Sequence, residues 1–109
     1  MNYIDTAEIF IESLKHKNMP NIESVLAENC FMEDFNGKWP GKKWVCETIN
    51  SFFQNPYEIT IFEYHECEDT VFVKYTLRYG GTDLLLKCID ELKFNDKSEI
   101  ERIIKYKRS

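Results

Sequence analysis

Thr82 to Phe94 reads TDLLLKCIDELKF, and with a period of two one face carries Leu84, Leu86, Cys88, Asp90, Leu92 and Phe94. The other face carries Asp83, Leu85, Lys87, Ile89, Glu91 and Lys93. One acid therefore stands in an apolar row. An ionised carboxylate is costly to bury alone, so Asp90 reaches solvent, is paired, or lines a cavity in its neutral form. A bulge that turned it outward would make it an ordinary surface acid. The preceding strand, Val71 to Tyr79, ends at Gly80-Gly81, which reads as a two-residue hairpin loop with positive φ at both glycines. That register sets Val71 opposite Asp90, Val73 opposite Cys88, Tyr75 opposite Leu86 and Leu77 opposite Leu84. On the other face it pairs Arg78 with Asp83 favourably and Lys74 with Lys87 unfavourably.

Working outward, Asp5 reads as the N-cap of a first helix, with Glu8 three residues on and Ile4 and Ile9 as a staple. Its buried stripe is Ala7, Phe10, Ile11 and Leu14. A short second helix starts around Asn18 to Asn21, tolerates Pro20 in its first turn and buries Ile22, Val25 and Leu26, ending before Asn29. Cys30 to Phe35 alternates as a strand, with Cys30, Met32 and Asp34 on one face, so a second acid sits in an apolar row. A loop from Asn36 to Gly41 leads to a third helix, Lys42 to Phe53, with Trp44, Val45, Thr48, Ile49, Phe52 and Phe53 on one side. Trp44 reads as packed there, and Trp39 either lids a cavity or packs the same helix. Strands then run from Tyr57 to Glu68, Val71 to Tyr79, Thr82 to Phe94 and Ile100 to Lys107. The order predicts an α+β domain over 1–109, three N-terminal helices on a curved, mostly antiparallel sheet, shaped as a cone with an open mouth.

The chain has 109 residues and a net charge of -5, which argues against a general nucleic-acid binder, and Lys105, Lys107 and Arg108 read as a solvated tail. No apolar run approaches the roughly 18 residues of a membrane span, and the start lacks a signal peptide's basic and apolar regions, so a cytoplasmic protein is expected. Cys30, Cys46, Cys67 and Cys88 show no ligand spacing, and neither His16 nor His65 sits in a ligand cluster, so no metal and no cofactor are expected. The glycines fit turns better than a phosphate loop.

Three stretches carry a resemblance: FIESLKHKNMPNIESVLAENCFMEDFNG from Phe10 to Gly37, GKKWVCETINSFF from Gly41 to Phe53, and CIDELKFND from Cys88 to Asp96. Their spacing resembles the NTF2-like superfamily, in particular its SnoaL-like and ketosteroid isomerase branches. The resemblance implies that Asp34 falls on the isomerases' proton-shuttling acid and Asp90 on the neutral acid that donates a hydrogen bond to the dienolate oxygen. The helix-one Tyr of that site falls on Phe10, and losing one preorganised donor typically costs about 10²–10³ in turnover. Tyr75 lies on the face of Asp90, but in the predicted register about 13 Å of strand separates it from Val71, too far to share one oxygen with Asp90.

The residues thus predict a pocket with Asp34 as base and Asp90 as neutral donor, acting on a small apolar carbonyl compound as an isomerase or lyase. Phe10, Met32, Phe53, Val73, Tyr75, Leu86 and Cys88 are its expected walls, since Leu86, Cys88, Leu92 and Val71 bring Asp90 no positive charge. The missing Tyr and the aromatics Phe10, Phe52, Phe53, Tyr75 and Tyr106 equally fit a non-catalytic ligand-binding or dimerisation module. A homodimer through the outer sheet face is expected, with no nucleic-acid or membrane partner. Epoxide hydrolysis of the kind seen in a related branch would need an Arg between two acids, and Arg78 is predicted to point away from the cavity.

Overall fold

The computed structural model describes residues 2–108. Helix α1, Tyr3–His16, is capped by Asn2, whose side chain accepts from the Asp5 N–H at 2.8 Å. Asp5 therefore lies in the first turn, where its charge suits the helix dipole, and is not the expected cap. The stripe Ala7, Phe10, Ile11 and Leu14 is buried as predicted. Lys17 ends the helix in the left-handed region (φ 58°). Helix α2, Met19–Val25, takes Asn18 as its cap and Pro20 in its first turn.

Leu26, expected inside α2, instead opens strand β1, Leu26–Asp34. This strand turns back at once into β2, Gly37–Pro40, a stretch read as loop. The hairpin follows the usual turn chemistry, with Asp34 accepting from the Asn36 N–H at 2.7 Å. Gly41 (φ 91°) then starts helix α3, Lys42–Phe52, and satisfies its own N–H on the Cys30 carbonyl at 2.7 Å. Val45 and Ile49 face the core, whereas Trp44 is 58% exposed and not packed as expected. An eleven-residue helix with two buried positions has a narrow apolar stripe, and Trp44 lies outside it.

Strands β3, Tyr57–Cys67, β4, Thr70–Tyr79, β5, Leu85–Phe94, and β6, Ile100–Arg108, complete a six-stranded sheet in the order β2-β1-β6-β5-β4-β3. All neighbours are antiparallel except β1 and β6. The basic run from Lys105 to Arg108 is therefore not a solvated tail: it is the end of a central strand, paired there with β5, although Arg108 stays exposed. The result is an α+β fold of three helices and a mixed sheet.

The alternation predicted for β5 holds, with Cys88, Asp90, Leu92 and Phe94 buried and Leu85, Lys87 and Ile89 exposed. No bulge turns Asp90 outward. The register, however, is displaced by two residues, so that Val73, not Val71, stands opposite Asp90 and Tyr75 stands opposite Cys88. The cause is the loop: only Gly81 has positive φ (77°), and the Thr82 hydroxyl binds the Tyr79 carbonyl at 2.9 Å, which extends the connection to Leu84. A shift of two preserves faces but changes every neighbour. Lys74 now meets Ile89 and bonds Glu63 at 3.6 Å, relieving the predicted Lys74–Lys87 repulsion, and Arg78 faces Leu85 instead of Asp83.

Among the described residues no helix is long and apolar enough to cross a membrane. Burial pushes the Cys30 thiol up to about 12 and the Tyr57 and Tyr64 phenols to about 12. Tyr57 also donates its hydroxyl to the Leu14 carbonyl, tying β3 to α1. These groups stay protonated in the folded chain while the unfolded chain ionises them, so their stabilisation is complete below the unfolded values and fades as pH rises towards the folded ones. The urea midpoint should therefore lose this contribution between pH 9 and pH 12. In Cys30→Val the loss between pH 9 and pH 10 should shrink, with Cys46, Cys88 and the tyrosines carrying what remains. An identical decline in both proteins would remove Cys30 as a cause.

Candidate functional site

Asp90 has no exposed surface, and both its oxygens are taken. Oδ1 accepts from the Tyr75 hydroxyl at 2.9 Å and Oδ2 from the Lys105 ammonium at 2.7 Å. The register produces both contacts. With Val73 opposite Asp90, Tyr75 becomes its diagonal neighbour, a separation of roughly 7–8 Å that a tyrosine side chain spans. On the other side Lys105 is Asp90's direct partner across β5 and β6. The expectation that Tyr75 is out of reach is thus corrected. So is the expectation that Asp90 meets no positive charge, because one of its oxygens accepts from a phenol and the other from an ammonium. Asp90 is an acceptor that holds two other groups in place.

Those two groups face a cavity of about 260 Å³ between the helices and the inner face of the sheet. Leu14, Ile49, Phe52, Ile59 and Leu77 supply apolar walls, and Met32, Tyr75 and Cys88 line it as expected. Trp39, from the strand β2 that was read as loop, also lines it. Its polar groups include Asp34, Asn36, Lys105 and Lys107. Asp34 ends β1 directly after Glu33, which pairs with Ile104, so β1 and β6 carry Asp34 and Lys105 along adjacent paths. One Asp34 oxygen is held by the Asn36 N–H; the other has no bond to the protein among the described residues.

Several expected wall residues lie elsewhere. Phe10, Val73 and Phe53 belong to the packed core, at 0%, 0% and 8% exposure, and Leu86 does not line the cavity: it sits at the start of β5, past the last residue that β6 pairs with. Phe10 has an indirect part: the Lys105 ammonium sits 5.8 Å above its ring, a cation–π contact that fixes the side chain from the helix side. Lys105 was missed by the sequence reading. The signal was present in Ile100 to Lys107, where alternation puts Lys105 on the face of the buried Ile103. A cation in one apolar row and an acid in another are natural partners.

Burial and the neighbouring Asp90 hold the Tyr75 phenol well above its ordinary value, so it remains a neutral donor. Burial and Asp90 likewise raise Cys88, so its thiol is a poor nucleophile. Among the described residues no three His, Cys, Asp or Glu side chains converge as metal ligands would. No arginine lines the cavity, and Arg102 instead bonds Glu91 at 3.3 Å.

No family model matches the sequence. No curated protein matches it either. Solved structures do. An NTF2-like protein of unknown function from Cytophaga hutchinsonii superposes with TM-score 0.84 at 17% identity, over 99% of this chain and 91% of that one. A protein described as a putative ketosteroid isomerase from Kribbella flavida gives 0.87 at 16% identity, over 98% and 78%. An epoxide hydrolase from M. tuberculosis, described as LEH-like, gives 0.83 at 14%, over 97% and 82%. Likeness at these identities establishes an NTF2-like fold, which hosts different chemistries.

The ion pair generates a direct prediction. Removing one partner of a buried pair leaves an uncompensated charge at about 3–5 kcal/mol, so Lys105→Met should lower unfolding free energy by that order in a urea titration. Adding Asp90→Asn should recover much of the loss. Wild-type stability in the single variant would show that Asp90 does not depend on Lys105.

Proposed function

From the NTF2-like fold, we propose that the chain binds a small apolar molecule carrying a carbonyl oxygen, with Lys105 as its polar anchor. The observation that carries this reading is the Tyr75–Asp90–Lys105 cluster: one buried carboxylate orients a cation that still lines an otherwise largely apolar cavity. Lys has three donors, and Asp90 uses one, so the ammonium retains donors for a ligand. A cation preorganised in a water-poor cavity is a strong partner for a polar oxygen. This replaces the role expected of Asp90, and the ammonium lies over the ring of Phe10, the residue on which the resemblance puts the helix-one Tyr. The sheet would wrap the ligand as the wall of a cone.

A second reading, proton transfer by an isomerase or lyase, is favoured by Asp34 lining the same cavity as Lys105. Asp34 would take a proton from the carbon next to the carbonyl, and the electron pair would move onto the oxygen beside the Lys105 ammonium. Return of the proton to another carbon gives an isomer; departure of a leaving group gives a lyase product. Asp90 takes no part except through Lys105.

Both readings can be tested with 1-indanone, a ketone small enough for a cavity of about 260 Å³. Calorimetric titration should show binding to the wild type, weakened about tenfold or more in Lys105→Met, since a hydrogen bond from a charged group is worth about 1.5–3 kcal/mol. Proton transfer should appear as accelerated exchange of the ketone's α-hydrogens in D₂O, reduced about 10²-fold or more in Asp34→Asn. Binding without exchange leaves the pocket protein and removes the catalyst. Equal affinity in Lys105→Met removes the anchor.

A further inference from the structure

The outer face of the sheet carries a second groove, about 660 Å³, at the end where β4, β5 and β6 meet the Gly80-Gly81 loop. Its apolar floor includes Phe62, Leu85 and Ile89, and Tyr106 borders it. All four are large apolar or aromatic side chains exposed by 39% to 60%. Phe62 is available because a register shift between Ile61 and Glu63 bulges it out of β3.

The charged residues of this groove are all basic: Lys74, Lys87, Lys107 and Arg108. That is unexpected in a chain of net charge -5. Elsewhere cations meet acids, as in Lys42–Glu28, Lys93–Glu101, Arg102–Glu91 and Lys105–Asp90. In the groove Lys74 bonds Glu63, but Lys87 and Arg108 have no acid partner among the described residues and stand directly opposite one another across β5 and β6. Like charges in that position destabilise a sheet unless an anion lies between them.

We propose that this groove binds an anionic amphiphile of the fatty-acid type, its carboxylate between Lys87 and Arg108 and its chain along Ile89, Leu85 and Phe62. Charge selects this occupant over a second copy of the chain. A two-fold axis through the groove would set the Lys87–Arg108 pair against the same pair of the second copy. It also selects against nucleic acid, whose backbone would meet an apolar floor and a protein of like overall charge. The site is distinct from the inner cavity, although Tyr75, Cys88, Tyr106 and Lys107 border both, so occupation of one can be sensed at the other.

The test is a titration of the full chain with decanoate below its micellar concentration, followed by amide NMR and repeated with acetate and at raised salt. Decanoate should shift Leu85, Lys87, Ile89 and Arg108, bind at least tenfold more weakly in Lys87→Gln/Arg108→Gln, and weaken with salt. Acetate should bind far more weakly, because it lacks a chain for the apolar floor. The substitutions lie on exposed positions and should leave urea stability within about 0.5 kcal/mol, which separates lost binding from lost folding. Shifts confined to Leu14, Trp39 and Ile49 would assign decanoate to the inner cavity and overturn the proposal. So would unchanged affinity in the double variant, equal binding of acetate, or light scattering that shows a dimer whose formation shields the groove from decanoate. Because indanone is uncharged and Lys105 is intact in the double variant, failure here leaves the inner-cavity reading untouched.

Discussion

A carboxylate with no exposed surface sets the terms for the rest of the molecule. Asp90 sits on the middle of β5, in a row of apolar residues, and could not remain there without a cation and a donor within reach. Lys105 and Tyr75 meet that demand only in one register of the sheet. Moving β4 by two residues along β5 would take the Tyr75 hydroxyl away, and moving β6 would strand the charge. Buried pairs are weak evidence for stability but can specify one arrangement over its near alternatives. The same bonds that specify the register present an ammonium to the cavity, so the element that orders the sheet also supplies its candidate chemistry.

The sequence made the faces of the strands legible and left their neighbours hidden. Cys30, Met32 and Asp34 on β1 and Cys88, Asp90, Leu92 and Phe94 on β5 point as the alternation predicts, because a buried face penalises any odd-numbered slip. An even-numbered slip carries no such penalty. It depends on the loop, and the Thr82 hydroxyl's bond to the Tyr79 carbonyl gives the chain a longer connection than two glycines suggest. That difference moved Tyr75 from a distant wall residue to a ligand of Asp90.

The closing strand was hidden for another reason. Lys105, Lys107 and Arg108 look like a solvated basic end when read by composition, and their alternation with Ile103, Ile104 and Tyr106 is ambiguous over so short a run. Their placement comes from topology: β6 enters between β1 and β5, parallel to one and antiparallel to the other. A parallel neighbour across helices and hairpins is a long-range pairing that local pattern does not encode. Trp44 and Trp39 show the same limit at smaller scale. Helical spacing grouped Trp44 with the core, yet the sheet covers only the strip with Val45 and Ile49, while Trp39 gained its place in the cavity wall from a hairpin too short to announce itself.

Insertion of β6 also explains how one strand serves two surfaces. Successive side chains alternate across the sheet, so Lys105 faces the inner cavity and Arg108 the outer groove, while Tyr106 and Lys107 between them border both. On the inner side the charge is matched: Asp90 takes Lys105, and the ammonium is oriented before any ligand arrives. On the outer side it is not, since Lys87 and Arg108 face each other over apolar residues. The two surfaces therefore differ in kind. The inner one is a preorganised site whose cost is met within the fold, whereas the outer one keeps an unmet repulsion that binding would relieve. A ligand that relieves such a repulsion gains from the protein's own stability as well as from its contacts, and it would stiffen the strand that carries Lys105.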